Sequence, residues 1–85
     1  MSRATEIYSR EFDSVFLSLP EGVRAAIESK IDQLGARLSN FPHQRLKGRA
    51  EYRLRVGDYR VIYDFDRERN LLYLITLGNR REIYR

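Results

Sequence analysis

An 85-residue chain with 42% hydrophobic residues can bury one modest core and is too apolar for a disordered segment. It has no cysteine and one histidine, which excludes disulfides, thiolate metal sites, a cysteine nucleophile and a multi-histidine metal site. The net charge is +4, with a pI near 9.8, which favours an anionic partner. Residues 1–40 carry five basic against six acidic side chains, and residues 41–85 carry eleven against six, so an anion-binding surface belongs to the second half.

In chain order, "ATEIYS" (4–9) alternates weakly and reads as a first strand. Ser9 can cap a short helix with Phe12, Val15, Phe16 and Leu19 on one face. Pro20 suits the first turn of a second helix, where its missing N–H costs nothing. Val23, Ile27, Ile31, Leu34 and Leu38 then recur at helical spacing and predict a core-facing stripe without chemistry. "SNFPHQ" (39–44) ends that helix, and "RLKGRAEY" leads as a basic segment into three strands at 51–56, 59–65 and 71–77. Gly57-Asp58 joins the first two through a II′ turn, and "GNRREIYR" reads as one more short strand. Helices followed by a meander predict a single α+β domain over 1–85. No run approaches the length of a membrane-spanning helix, and "MSRATEIYSREF" lacks the apolar stretch of a signal peptide. A cytoplasmic protein that does not engage a membrane is expected.

A two-residue loop sets the register of the hairpin "YRLRVGDYRVIYDF" (52–65). Val56 should face Tyr59, Arg55 should face Arg60, Leu54 should face Val61 and Arg53 should face Ile62. One face then carries Tyr52, Leu54, Val56, Tyr59, Val61 and Tyr63 toward the helices. The other is solvent-facing by alternation and carries Arg53, Arg55 and Arg60, with Ile62, Glu51 and Asp64 beside them. An arginine directly opposite an arginine costs up to about 1 kcal/mol. An anion held between the two guanidinium groups reverses that sign, because arginine forks match phosphate oxygens. The alternative is a solvated outer face with splayed side chains, partly neutralised by Glu51 and Asp64. Arg80 and Arg81 at the end of the last strand, and Lys47 and Arg49 before the first, enlarge the cluster. Tyr84 adds a polar aromatic for stacking or proton transfer. Alternation places Tyr52, Tyr59, Tyr63 and Tyr73 in the core, and Tyr8 also reads as structural.

"LKGRAEYRLRVGDYRVIYDFD", a further strand and "GNRREIYR" together resemble the RelE/ParE toxin superfamily over essentially the whole chain. The resemblance implies an N-terminal strand and helical hairpin packed on a small, mostly antiparallel sheet of the microbial-RNase type. It implies the toxin of a type II toxin–antitoxin system. In the RelE branch this is a metal-independent endoribonuclease (mRNA interferase) acting at the ribosome, needing no cofactor. Its expected partners are a cognate antitoxin, in assemblies up to a heterotetramer, and mRNA on the ribosome. The alternatives are a ParE-like toxin that inhibits DNA gyrase and a catalytically weakened homologue that binds antitoxin. By the same resemblance Arg53, Arg55, Arg60, Arg80 and Tyr84 are the expected catalytic residues. Lys47, Arg49 and Arg81 are assigned to RNA binding. Asn79 stands where many relatives have histidine, and arginine replaces lysine at 53 and 55. Arginine does not give up its proton and asparagine does not titrate, so the anion site is kept while proton transfer is thinned. The remaining proton carriers are Tyr84 first, then Glu82, Lys47 and His43. Glu82 reads better as an ion-pair partner, and a lone histidine without an orienting partner is weak evidence for chemistry.

Overall fold

A computed structural model describes residues 3–79 as β1 (Thr5–Tyr8), α1 (Arg10–Leu17), α2 (Glu21–Ala36), β2 (Gln44–Arg45), β3 (Tyr52–Val56), β4 (Tyr59–Asp66) and β5 (Leu71–Asn79). The five strands form one sheet in the order β1-β5-β4-β3-β2. β1 runs parallel to β5, and every other pair is antiparallel. The architecture is the α+β arrangement expected.

Local chemistry sets the helix boundaries. The Ser9 hydroxyl accepts from Phe12 N at 3.0 Å and caps α1, while also donating to the Ile75 carbonyl of β5. The cap therefore holds α1 to the sheet. Phe12, 1% exposed, is the buried anchor of α1, and filling that role is worth roughly 1.5–3 kcal/mol. Pro20 sits one position earlier than expected, at the N-cap of α2, and Glu21 places negative charge in the first turn. Ile27, Ile31 and Leu34 are buried on the predicted stripe. The helix stops at Ala36, before Leu38, because Ser39, Asn40 and the pre-proline position Phe41 disfavour its continuation. Leu38 is buried all the same, from the turns that follow.

The hairpin register is the predicted one at all four positions, and Tyr52 additionally pairs with Tyr63. Gly57 takes φ +59 while Asp58 stays at negative φ, as a II′ turn requires. Leu54, Val56, Val61 and Tyr63 join the core with the α2 residues. Two expectations fail. Tyr73 is exposed at 36%. A register shift between Ile62 and Tyr63 pairs Tyr63 with Leu74, so Leu72 and Leu74 turn to the core and Tyr73 turns to the other side, beside Asp64. Arg60 is not solvent-facing but 7% exposed, and Ile62 on the same face is 4% exposed. β4 is the central strand, so Arg60 is flanked on both sides, by Arg55 of β3 and Gly78 of β5.

Candidate functional site

The second face of the sheet collects Arg53 and Arg55 from β3 with Arg60 from β4. Their exposure is graded: Arg55 is exposed, Arg53 half-buried and Arg60 buried. The cross-strand pair thus joins a buried arginine on the central strand to an exposed one on β3. The like-charge pairing of Arg55 and Arg60 lies at the turn end of the hairpin, and Gly78 opposite Arg60 presents no side chain there.

β2 was not foreseen, and it changes the setting of the basic segment. Gln44 pairs with Arg53 and Arg45 with Tyr52, so "LKGRAE" (46–51) becomes the loop of a hairpin and not a lead-in. Leu46 N donates to the Glu51 carbonyl at 2.9 Å, Arg49 N to the Leu46 carbonyl at 3.1 Å, and Gly48 turns the chain at φ +75. Lys47 and Arg49 are exposed on this loop. They lie at the opposite end of β3 from the Arg55–Arg60 pair, with Arg53 between. The Gln44 side chain accepts from Arg53 Nε at 3.3 Å and orients it. Arg45, also missed, donates to the Tyr52 hydroxyl at 3.0 Å and lies 5.3 Å from the Tyr52 ring centroid. A two-residue strand is too short to show alternation, so the sequence carried no usable signal for it.

His43 has the orienting partners that the sequence did not reveal, and they make it structural. Its Nε2 lies 2.8 Å from the Leu38 carbonyl, which can only accept, so Nε2 carries the proton. Nδ1 then accepts from the Tyr63 hydroxyl at 2.6 Å. The ring stacks on Phe65 at 4.1 Å between centroids and meets Tyr52 edge-on. Both nitrogens are engaged on the core side of the sheet, away from the arginines. Burial pushes the Tyr63 phenol well above its ordinary value, with neighbouring Tyr52 adding to this, so it stays protonated. Arg80, Arg81, Glu82 and Tyr84 lie outside the described residues. Among the described residues no group of histidine, cysteine or carboxylate side chains is arranged to hold a metal ion, and no helix is long and apolar enough to cross a membrane.

The fold is similar to that of solved toxins. The archaeal RelE–RelB complex from Pyrococcus horikoshii matches with a TM-score of 0.77 at 23% identity, covering 95% of this chain and 99% of that one. The isolated E. coli RelE toxin matches with a TM-score of 0.76 at 18% identity, covering 98% and 92%. The intact E. coli RelBE toxin–antitoxin complex gives 0.74 at 18% identity, covering 92% and 96%. No curated protein matches the chain. The family model of the ParE toxin of type II toxin–antitoxin systems (parDE) matches residues 3–84. With nearly every residue inside that match, and with the hairpin of arginines on the sheet these toxins share, the chain belongs to the ParE toxin family, within the RelE/ParE superfamily of type II toxins.

Proposed function

We propose that this toxin is a ribosome-dependent endoribonuclease that cleaves messenger RNA in the cytoplasm and is neutralised by a cognate antitoxin. The observation that carries the reading is Arg55 placed opposite Arg60, with Arg53 beside them. A directly opposed like-charge pair costs up to about 1 kcal/mol, and a bound phosphate turns that cost into a gain. The RelE–RelB assemblies among the structural neighbours support an antitoxin as the partner.

In this reading the nucleophile is the 2′-hydroxyl of the substrate. It attacks the adjacent phosphorus, the P–O5′ bond breaks, and a 2′,3′-cyclic phosphate and a free 5′-hydroxyl result. Arg53, Arg55, Arg60 and Arg80 stabilise the extra negative charge on the phosphorane oxygens. Lys47, Arg49 and Arg81 hold flanking phosphates. Tyr84 moves the proton, because none of these arginines can.

A second reading, inhibition of DNA gyrase, is favoured by the ParE identity of the matching family model. Expression of the chain in cells with mapping of RNA 5′ ends separates the two. In-frame cuts within translated messages support the nuclease. Intact messages with gyrase-dependent DNA breaks refute it. Within the nuclease reading, Tyr84→Phe should lower cleavage on ribosomes by about 10²-fold or more with ribosome binding unchanged. Full activity of that variant removes Tyr84 from proton transfer.

A further inference from the structure

Across the sheet from the arginines, the same face changes chemistry. The irregularity between Ile62 and Tyr63 that takes Tyr73 out of the core sets its ring on the face of Arg53, Arg55 and Arg60. Tyr73 pairs with Asp64 of β4 on one side and with Ile7 of β1 on the other, so the three side chains stand in a row across three strands. Tyr73 is 36% exposed and Ile7 is 41% exposed, two of the four large hydrophobic side chains exposed among the described residues. Asp64 is half-buried, and its Oδ1 accepts from Phe65 N at 2.8 Å, which holds the carboxylate in place. Among the described residues Asp64 forms no ion pair. Along β4 it stands one same-face position from Ile62, the partner of Arg53.

The geometry points to Ile7, Tyr73 and Asp64 as a base-reading subsite, which takes an amino-bearing nucleobase from an RNA strand whose phosphates lie on the arginines. The inference deepens the proposed function and rests on its RNA-binding face. The base stacks on the Tyr73 ring with Ile7 as its apolar neighbour. Its amino N–H donates to the Asp64 carboxylate, which can only accept. Cytosine presents such a group, and a carboxylate accepting from its N4 is a recurrent pairing. Uracil presents a carbonyl oxygen at the same ring position, and the carboxylate repels it. The two pyrimidines have the same ring size, so the choice between them depends on Asp64 and not on stacking. Charge selects RNA as the occupant. A cationic protein segment drawn to Asp64 is repelled by the arginines, and an acidic segment drawn to the arginines is repelled by Asp64. A single RNA strand offers an anionic backbone and donor-bearing aromatic rings side by side. Tyr73 lies two strands from Arg53, roughly 10 Å at about 4.8 Å per strand, a separation that a flexible strand spans.

The test reads by anisotropy the binding of the full chain to fluorescent 2′-O-methyl oligocytidine and oligouridine of equal length, whose blocked 2′ oxygens prevent cleavage. The expected result is that oligocytidine binds about three- to tenfold tighter, the scale of one net hydrogen bond. Asp64→Asn should erase that preference, because a carboxamide both donates and accepts, while its oxygen still serves Phe65 N. Losing a negative charge raises affinity for both strands, so the ratio is the readout. Glu28→Gln removes the same charge from an exposed position of α2 and should leave the ratio unchanged. Tyr73→Ala should weaken both strands about fivefold or more, and Tyr73→Phe, which keeps the ring, should bind like the parent. An unchanged melting temperature verifies the fold of each variant. A preference that survives Asp64→Asn, or a Tyr73→Ala protein of parental affinity, overturns the subsite. Equal binding of the two strands that Arg55→Ala still weakens overturns the subsite and leaves the RNA-binding face standing. Binding of neither strand overturns both.

Discussion

Tyr63→Phe removes one oxygen atom, and the structure allows its cost to be worked out. Tyr63 is 0% exposed, and its hydroxyl donates to His43 Nδ1 at 2.6 Å. The phenylalanine ring keeps the packing on Tyr52 and Phe65, so area burial is nearly conserved. What is lost is a hydrogen bond, worth about 0.5–1.5 kcal/mol net, and the stranded Nδ1 acceptor raises the total to about 1–3 kcal/mol. For a domain of this size each kcal/mol lowers Tm by about 4–8 °C, so a fall on the order of 10 °C is expected. His43→Phe should cost more, because it strands the Leu38 carbonyl as well as the Tyr63 hydroxyl. The double variant should be less destabilised than the sum, by about 1 kcal/mol, since both single changes break the same bond. Thermal and urea melts of the three variants measure this cycle. A Tyr63→Phe protein melting within about 1 °C of the parent, or strictly additive variants, would refute the hydrogen-bonded lock. His43 directly precedes β2, and β2 carries the chain into the loop of Lys47 and Arg49, to which the proposed function gives RNA binding. The melts should therefore be accompanied by weaker RNA binding in His43→Phe.

The same tyrosine sets an alkaline limit. Its folded pKa lies above the ordinary value of 10.0, so the native state keeps a proton that the unfolded state releases. Stability should be full below about pH 9 and fall above about pH 10, with Tyr63 contributing up to about 1.4 kcal/mol per pH unit; Tyr63→Phe should make the fall shallower in a series of melts, leaving the share of Tyr8, whose phenol is raised in the same direction. Arg55→Ala should leave stability unchanged or raise it by up to about 1 kcal/mol, because it relieves the pairing with Arg60. In titrations of a single-stranded RNA it should weaken affinity and make the salt dependence shallower by about 0.7 in log–log slope; an unchanged slope places Arg55 outside the phosphate contacts. Ser9→Ala should lose about 1–2 kcal/mol in chemical denaturation, since it removes both the α1 cap and the bond to β5; a loss below about 0.3 kcal/mol would show that water replaces both bonds.

Some of this was legible because it depends on neighbours a few residues away. The Ser9 cap, the Ile27–Ile31–Leu34 stripe and the Gly57 turn are local devices, and each appears where its pattern placed it. The hairpin register followed from a two-residue loop, which leaves no freedom in the pairing, so Arg55 opposite Arg60 could be read before any fold was known. The resemblance in "YRLRVGDYRVIY" and "GNRREIYR" pointed to the superfamily for the same reason, since these are contiguous motifs.

What the tertiary structure alone decided are relations between distant segments. Alternation can say which face Arg60 occupies, but its exposure depends on β5 arriving from 18 residues downstream to make β4 a central strand. Tyr73 left the core because β5 skips Ile75 in its pairing with β4, and that irregularity shows only once the two strands are side by side. His43 looked isolated because its partners, Leu38 and Tyr63, sit 5 and 20 residues away and meet only when the loop folds onto the sheet. The row of side chains at Tyr73 needed three strands at once: Ile7 from β1, Tyr73 from β5 and Asp64 from β4. The sequence by itself determined the local elements, the hairpin register and the segregation of charge between the two halves. Packing decided how deeply each charge is buried, because burial is set by what a side chain's neighbours in space exclude, and those neighbours are chosen by the topology of the whole sheet.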